Sequence, residues 1–114
     1  MLIEPLEQAL LALETVSQEL LAQIQRDVDR GLANASLYLD MFGRVVVGWI
    51  WLRQALVATR ALEAIPAEEQ QAFYRGKLQA AHYFMDWELS QVGHQARLLG
   101  QGNAICYEMR DAWF

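Results

Sequence analysis

The chain has 114 residues, 54% of them hydrophobic and 20% charged, enough apolar surface to offset the ordering entropy of one domain and too short for two. Nine Lys and Arg against fourteen Asp and Glu leave a net charge of −5. The cations are scattered singly, which excludes the clustered positive charge that releases counterions from a nucleic acid.

The opening Met1-Leu2-Ile3-Glu4-Pro5 has no basic start, and Glu7 and Glu14 interrupt the apolar stretch, which argues against a secretory signal. From Pro5 to about Arg30, apolar residues recur at Leu6, Leu10, Leu13, Val16, Leu20, Ile24 and Val28. Steps of three and four put them on one face of a long amphipathic helix. Pro5 suits its first turn, where a missing N–H costs nothing, and Gly31 suits its far end, where positive φ is cheap.

A second helix is expected over about 35–64, capped by Asn34 or Ser36 and ended by Ile65-Pro66, because proline disfavours helical geometry in the residue before it. One stripe is Leu37, Met41, Val45, Trp49, Leu52 and Leu56; another is Leu39, Phe42, Val46, Ile50 and Val57. Two stripes require cover on more than one side, which a single neighbouring helix cannot provide. Gly43 and Gly48 each lower helix propensity by about 1 kcal/mol relative to Ala, so both are expected at tight packing contacts. The longest strongly apolar run, Val45 to Leu52, is eight residues between Arg44 and Arg53, against the ~20 of a membrane span. A buried helix is expected there, and no membrane span.

Pro66-Ala67-Glu68-Glu69 opens a third helix, about 67–99, with two carboxylates at the positive end of its dipole. Its core stripe reads Tyr74, Leu78, Ala81, Met85, Leu89, Val92, Ala96 and Leu99, with Ser90 and Gly93 as possible bends. Gly100-Gln101-Gly102-Asn103 terminates it, and a short helix at about 104–112 carries Ile105, Met109 and Trp113 on one side. The fold class expected is all-α: one domain, 1–114, an antiparallel up-down bundle of three long helices plus a short C-terminal one. The apolar excess exceeds what three such rods can bury among themselves, so a hydrophobic face is left for another chain, and a homodimer is expected of the isolated chain.

No constellation for chemistry emerges. The two histidines, His82 and His94, lack the Glu-x-x-His pairing of a di-iron bundle, and His82 with Asp86 lies on a solvated stripe, so no metal is expected. Ser17, Ser36 and Ser90 lie in no nucleophile motif, and the glycines at 100 and 102 lack the context of a phosphate loop. Cys106, the single cysteine, reads as a small packed hydrophobe and excludes an intramolecular disulfide, which fits a reducing compartment such as the cytoplasm. Trp49, Trp51, Trp87, Phe42, Phe73 and Phe84, at helical spacing, read as core before they read as a ligand pocket. Asp40 with Arg44 and Arg60 with Glu63 read as surface helix pairs.

The run Tyr38-Leu39-Asp40-Met41-Phe42-Gly43-Arg44, followed by Gly48-Trp49-Ile50-Trp51, resembles the helical C-terminal extension of one acyl-CoA dehydrogenase subgroup, which carries a similar Tyr-Leu, Phe-Gly and Gly-Trp-x-Trp pattern. Phe73-Tyr74-Arg75-Gly76-Lys77-Leu78 looks like that family's Phe-Tyr-Arg-Ala-Lys-Leu segment at a similar distance downstream, with Gly76 in place of Ala. Tyr107 to Phe114 is similar to its closing short helix, and Ser90 stands where the family often has Pro. The resemblance marks Tyr38, Phe42, Gly43, Gly48, Trp49, Trp51, Phe73, Tyr74, Arg75 and Leu78 as motif and packing positions. It implies a module that follows the domains which bind FAD and acyl-CoA and supply a catalytic Glu. No glutamate here matches that residue, so no catalytic, cofactor-binding or metal residue is assigned.

What the resemblance implies is a module that is not an enzyme on its own and serves packing, oligomerisation or substrate-tunnel shaping, with a second copy or the FAD-binding domains as partner. The alternative is a stand-alone helical binding protein whose aromatic interior holds an acyl chain or acyl-CoA.

Overall fold

A computed structural model describes residues 2–114. The chain is all-α, 86% helical, with no strand among the described residues. Its elements are α1 (Ile3–Arg26), α2 (Val28–Leu32), α3 (Ala35–Glu63), α4 (Glu68–Tyr83), a π-helical segment (Phe84–Leu89), α5 (Gln91–Gly100), α6 (Ile105–Glu108) and a closing 3₁₀ turn (Asp111–Trp113).

The first expected helix is divided. Asp27 adopts extended backbone (φ −155°, ψ 105°), ends α1, and caps α2 by accepting a hydrogen bond from the Arg30 N–H on its carboxylate at 3.2 Å. An acceptor side chain two or three residues before free helical N–H groups competes with continued helix, which an apolar period alone does not register. Gly31 therefore does not end the helix at positive φ. It lies buried inside α2, where an added Cβ would stand 2.6 Å from Ile24 Cγ1 and 2.8 Å from the Ile24 backbone nitrogen. Leu10 and Val28, expected on the core face, are exposed.

Helix α3 runs nearly as expected. Neither proposed cap forms there: Asn34 makes no capping bond and instead donates from Nδ2 to the Asn103 carbonyl at 2.7 Å, and Ser36 lies inside the helix. Ile65 takes φ 51°, a left-handed conformation costly for a β-branched residue, and Pro66 follows it. The third expected rod is interrupted by the π-helical turns at Phe84–Leu89 and by Ser90, while Gly93 sits within regular α5. Gly102, at φ 61°, terminates the rod as glycine allows. The closing segment is not one packed helix: Met109 is extended between α6 and the 3₁₀ turn, and Ile105, Met109, Trp113 and Phe114 are all exposed. Cys106 there is an exposed free thiol, not a packed hydrophobe.

The core joins Leu6, Leu13 and Val16 of α1 to Met41 and Val45 of α3 and to Met85, Leu89, Val92 and Leu99. Met41, Val92 and Leu99 are fully enclosed. Gly48 lets these rods approach: an added Cβ would lie 3.2 Å from Leu89 Cδ1, 3.4 Å from Leu6 Cδ1 and 3.5 Å from Phe84 Cε1. The Leu6–Gly48 and Ser17–Tyr38 contacts pair the start of α1 with the middle of α3 and its middle with the start of α3, so the two helices run in opposite senses. Past Gly48, α3 is packed chiefly against α4 through small residues, Ala55, Ala58 and Ala81. The molecule is accordingly long and thin, 65 × 30 × 16 Å.

Gly31→Ala is expected to destabilise the fold by about 1–3 kcal/mol, because its methyl meets backbone that must move. Gly76→Ala, with nothing within 4 Å of the new methyl, is expected to stabilise α4 by about 0.5–1 kcal/mol. Urea unfolding followed by circular dichroism measures both; equal shifts of the same sign would contradict the packing described.

Candidate functional site

The residues left outward by α3 form the most extensive feature of the surface. Leu39, Phe42, Val46, Val47, Trp49, Ile50 and Val57 are exposed, Leu39 to 71%. Apolar side chains lie all round this helix, so its burial on one side leaves a second stripe in water. The second stripe read from the sequence is thus the uncovered one, while Trp49 and Leu56, expected in the first, are exposed as well. By length and composition α3 meets the requirement for crossing a membrane, with an 18-residue window of mean hydropathy 1.3 of which 22% is buried in the bundle. The eight-residue run between the two arginines understated this.

Two open grooves follow the outer flank of α3. The first, about 590 Å³, lies over Gly43 between Leu39, Val47 and Phe84, with Asp40, Arg44 and Glu88 in its walls. Nothing stands within 4 Å of a Cβ built on Gly43, so this glycine does not mark a tight internal contact as Gly48 does. The second, about 440 Å³, lies between α3 and α4, with Ile50, Val57 and Phe73 beside the cations Arg53 and Lys77. The Arg53 guanidinium rests 5.1 Å from the Trp49 ring centroid, and the Lys77 ammonium 5.4 Å from Phe73 and 6.0 Å from Trp51. Neither cation has a carboxylate partner among the described residues.

A polar network anchors the first groove. Arg44 Nη1 donates to Asp40 Oδ2, Gln95 Nε2 donates to the same oxygen at 2.6 Å, and Arg44 Nε lies 3.7 Å from Glu88 Oε2. Gln95 is 5% exposed, and its Oε1 has no hydrogen-bond partner; nor has Arg44 Nε, whose contact with Glu88 is an ion pair. The Asp40–Arg44 pair was legible from its spacing. The part played by Gln95 was not read, although a polar residue at a core position between Val92 and Leu99 was its signal. Arg60 and Glu63 form no ion pair.

The motif positions fall in two clusters. Tyr38 bonds Ser17 through the two hydroxyls at 2.6 Å, and its ring lies 6.2 Å from Phe42. Trp49 and Trp51 share the second groove's surroundings with Phe73 and Tyr74, whose rings meet edge to face at 5.4 Å. Leu78 is half-buried and Arg75 exposed. Phe42, Trp49, Phe73 and Trp87 are therefore surface aromatics, not core; Trp87 is 68% exposed and stacks on Tyr83. Trp51 and Phe84 do pack against the core. His82 and His94 are both exposed, and His94 Nδ1 lies 3.0 Å from Arg97 Nη2. Among the described residues no three His, Cys, Asp or Glu side chains group as metal ligands would.

The model of the acetyl-CoA dehydrogenase C-terminal-like family matches residues 1–110. The chain belongs to that family. It is also similar to the broad-specificity linear acyl-CoA dehydrogenase FadE5 of Mycobacterium tuberculosis, 38% identical over 47 residues. That match takes in 41% of this chain and 8% of the relative, so the chain spans a small fraction of the length of that curated enzyme. In this C-terminal domain the structure holds the family-like Tyr-Leu, Phe-Gly and Gly-Trp-x-Trp positions on one helix, α3.

Asp40→Ala is expected to cost about 1–3 kcal/mol, since it leaves the buried Gln95 amide without an acceptor. In a Gln95→Leu background the same change is expected to cost less than half as much, measured as a double-mutant cycle by urea unfolding. An undiminished cost in that background would remove the Asp40–Gln95 bond as the cause.

Proposed function

We propose that this domain is a non-catalytic module of the acyl-CoA dehydrogenase family, acting in packing, oligomerisation or the shaping of the substrate tunnel of an assembled enzyme. The observation that carries the reading is the outward face of α3, a contiguous apolar surface flanked by grooves of opposite charge. Contiguous apolar patches of several hundred Å² are characteristic of surfaces covered by protein or lipid. Protein is the better cover, because Asp40 and Arg44 hold α3 to Gln95 and Glu88 within its apolar length. A charged network of this kind resists transfer into hydrocarbon. The partners proposed are a second copy or the FAD-binding domains, in the cytoplasm.

FAD is assigned to those other domains. The groove bearing Arg53 and Lys77 offers no glycine-rich turn at a helix N-terminus, and both cations rest on aromatic rings. In the other groove the one cation, Arg44, is already engaged by Asp40 and Glu88, whose two carboxylates would repel a diphosphate. The chain's own residues do not fit the dinucleotide.

The alternative, a stand-alone acyl-chain or acyl-CoA binder, draws support from a pocket of about 240 Å³ between α1, α2 and α3, lined by Leu20, Ile24 and Leu32 with the Ser17–Tyr38 hydroxyl pair at its wall. Of the walls such a binder would need, Trp49, Trp51 and Trp87, Trp51 packs against the core while Trp49 and Trp87 stand at the surface.

Light-scattering mass across a concentration series, with FAD and a medium-chain acyl-CoA in parallel samples, separates the two readings. The module reading expects association that neither ligand alters and no dehydrogenation of acyl-CoA by the chain alone. An oligomer that forms only with acyl-CoA would replace it with the binding-protein reading.

A further inference from the structure

The outward residues of α3 recur at 36, 39, 43, 46, 50, 53 and 57, in alternating steps of three and four. That is a heptad seam with a period of 3.5, the spacing that matches another helix laid along it. Leu39, Val46, Ile50, Arg53 and Val57 are exposed on it, and Gly43 is a gap with nothing within 4 Å of a Cβ. Size and charge are distributed unevenly about its middle. Toward the N-terminus lies the Gly43 groove, where the carboxylates of Asp40 and Glu88 share the single cation Arg44; toward the C-terminus lie Arg53 and Lys77, which no acid of their own chain pairs among the described residues.

Such a surface is complementary to itself when reversed. Laying two α3 helices antiparallel about Gly48 sets Val46 against the partner's Ile50, Leu39 against the partner's Val57, and Gly43 against the partner's Arg53. The longest side chain on the seam then meets its only gap, and the unpaired cations meet a groove in which two carboxylates share one arginine. The seven exposed apolar residues of this face are each between 37% and 71% exposed, apolar surface that an interface with a second copy would cover. The far half of α3, where Ile50 and Val57 stand exposed, gains cover from the partner.

We propose that α3 is the interface of an antiparallel homodimer in which Arg53 of each copy enters the groove over the partner's Gly43, beside the partner's Asp40 and the partner's Glu88. This inference rests on the reading of the domain as an interaction module and names its occupant. An isologous contact of this kind closes at two copies and leaves no complementary surface free for a filament.

The test is disulfide trapping in the full chain with Cys106→Ser. An equimolar mixture of the Leu39→Cys and Val57→Cys chains is expected to give the crossed 39–57 dimer on mild oxidation, with each variant alone giving little. Arg53→Glu, an exposed position, is expected to retain its helical circular dichroism and to self-associate at least tenfold more weakly by sedimentation equilibrium. Trapping of 39 to 39 or 57 to 57 would overturn the antiparallel register. A dimer that traps in none of these combinations uses another face, which overturns this proposal and leaves the module reading standing. A chain monomeric at every concentration overturns the homodimer; failure also to bind the FAD-binding domains of a family enzyme, supplied separately, would overturn the module reading itself.

Discussion

Everything distinctive about this domain follows from one mismatch: α3 is apolar around its whole circumference, and the remaining helices cover only part of it. Met41, Val45 and Gly48 are buried against α1 and the Met85–Leu99 stretch, while Leu39, Val46, Ile50 and Val57 on the other side stay in water. Leu6, near the start of the 24-residue α1, meets α3 at Gly48, and Trp51 and Leu52 are the last residues of α3 packed against the shared core. Beyond that point the chain is a two-helix arm whose buried contacts are alanines. A contact between alanines buries little area, so the arm's stability depends on what else covers it.

The polar network at Asp40 has meaning in that setting. A helix with apolar residues on every side has no hydrophobic preference for one rotation about its axis. The bonds from Gln95 and Arg44 to Asp40, with Glu88 close to Arg44, fix which side of α3 faces the bundle. Polar contacts that satisfy a buried group, here Gln95, contribute little net stability and a good deal of specificity, because the alternative arrangements leave a buried amide unpaired. Gly48 acts to the same end, since only that position admits Leu6, Leu89 and Phe84 together.

Helix content, the extent of α3 and the core stripe from Ala81 to Leu99 were legible in the sequence, because each rests on periodicity sustained over many turns. The division at Asp27 was not, since one side-chain acceptor outweighed an apolar repeat that continued past it. The aromatic positions were misread as core for a different reason. Periodicity tells which residues share a face, and it is silent on whether a neighbour exists to cover that face; Phe42, Trp49 and Phe73 share faces that this chain does not cover. The excess of apolar surface was visible from composition, but its location on α3 became clear only when the other helices were seen to leave Leu39, Val46, Ile50 and Val57 uncovered. Of the site itself, the Asp40–Arg44 pair was readable from spacing, while Gln95 required the third dimension to bring it across from α5.

The chain belongs to the acetyl-CoA dehydrogenase C-terminal-like family, and the function proposed for it is that of a module with a surface covered by other protein. The central claim is that the outward face of α3 is such a surface. Solvent paramagnetic relaxation of individual methyl groups, recorded on dilute and concentrated samples, tests it most directly. The account predicts that the methyls of Leu39, Val46, Ile50 and Val57 lose contact with the soluble probe on concentration, while those of Leu11 and Leu21, exposed on α1, keep theirs. Equal accessibility of both sets at every concentration would contradict it.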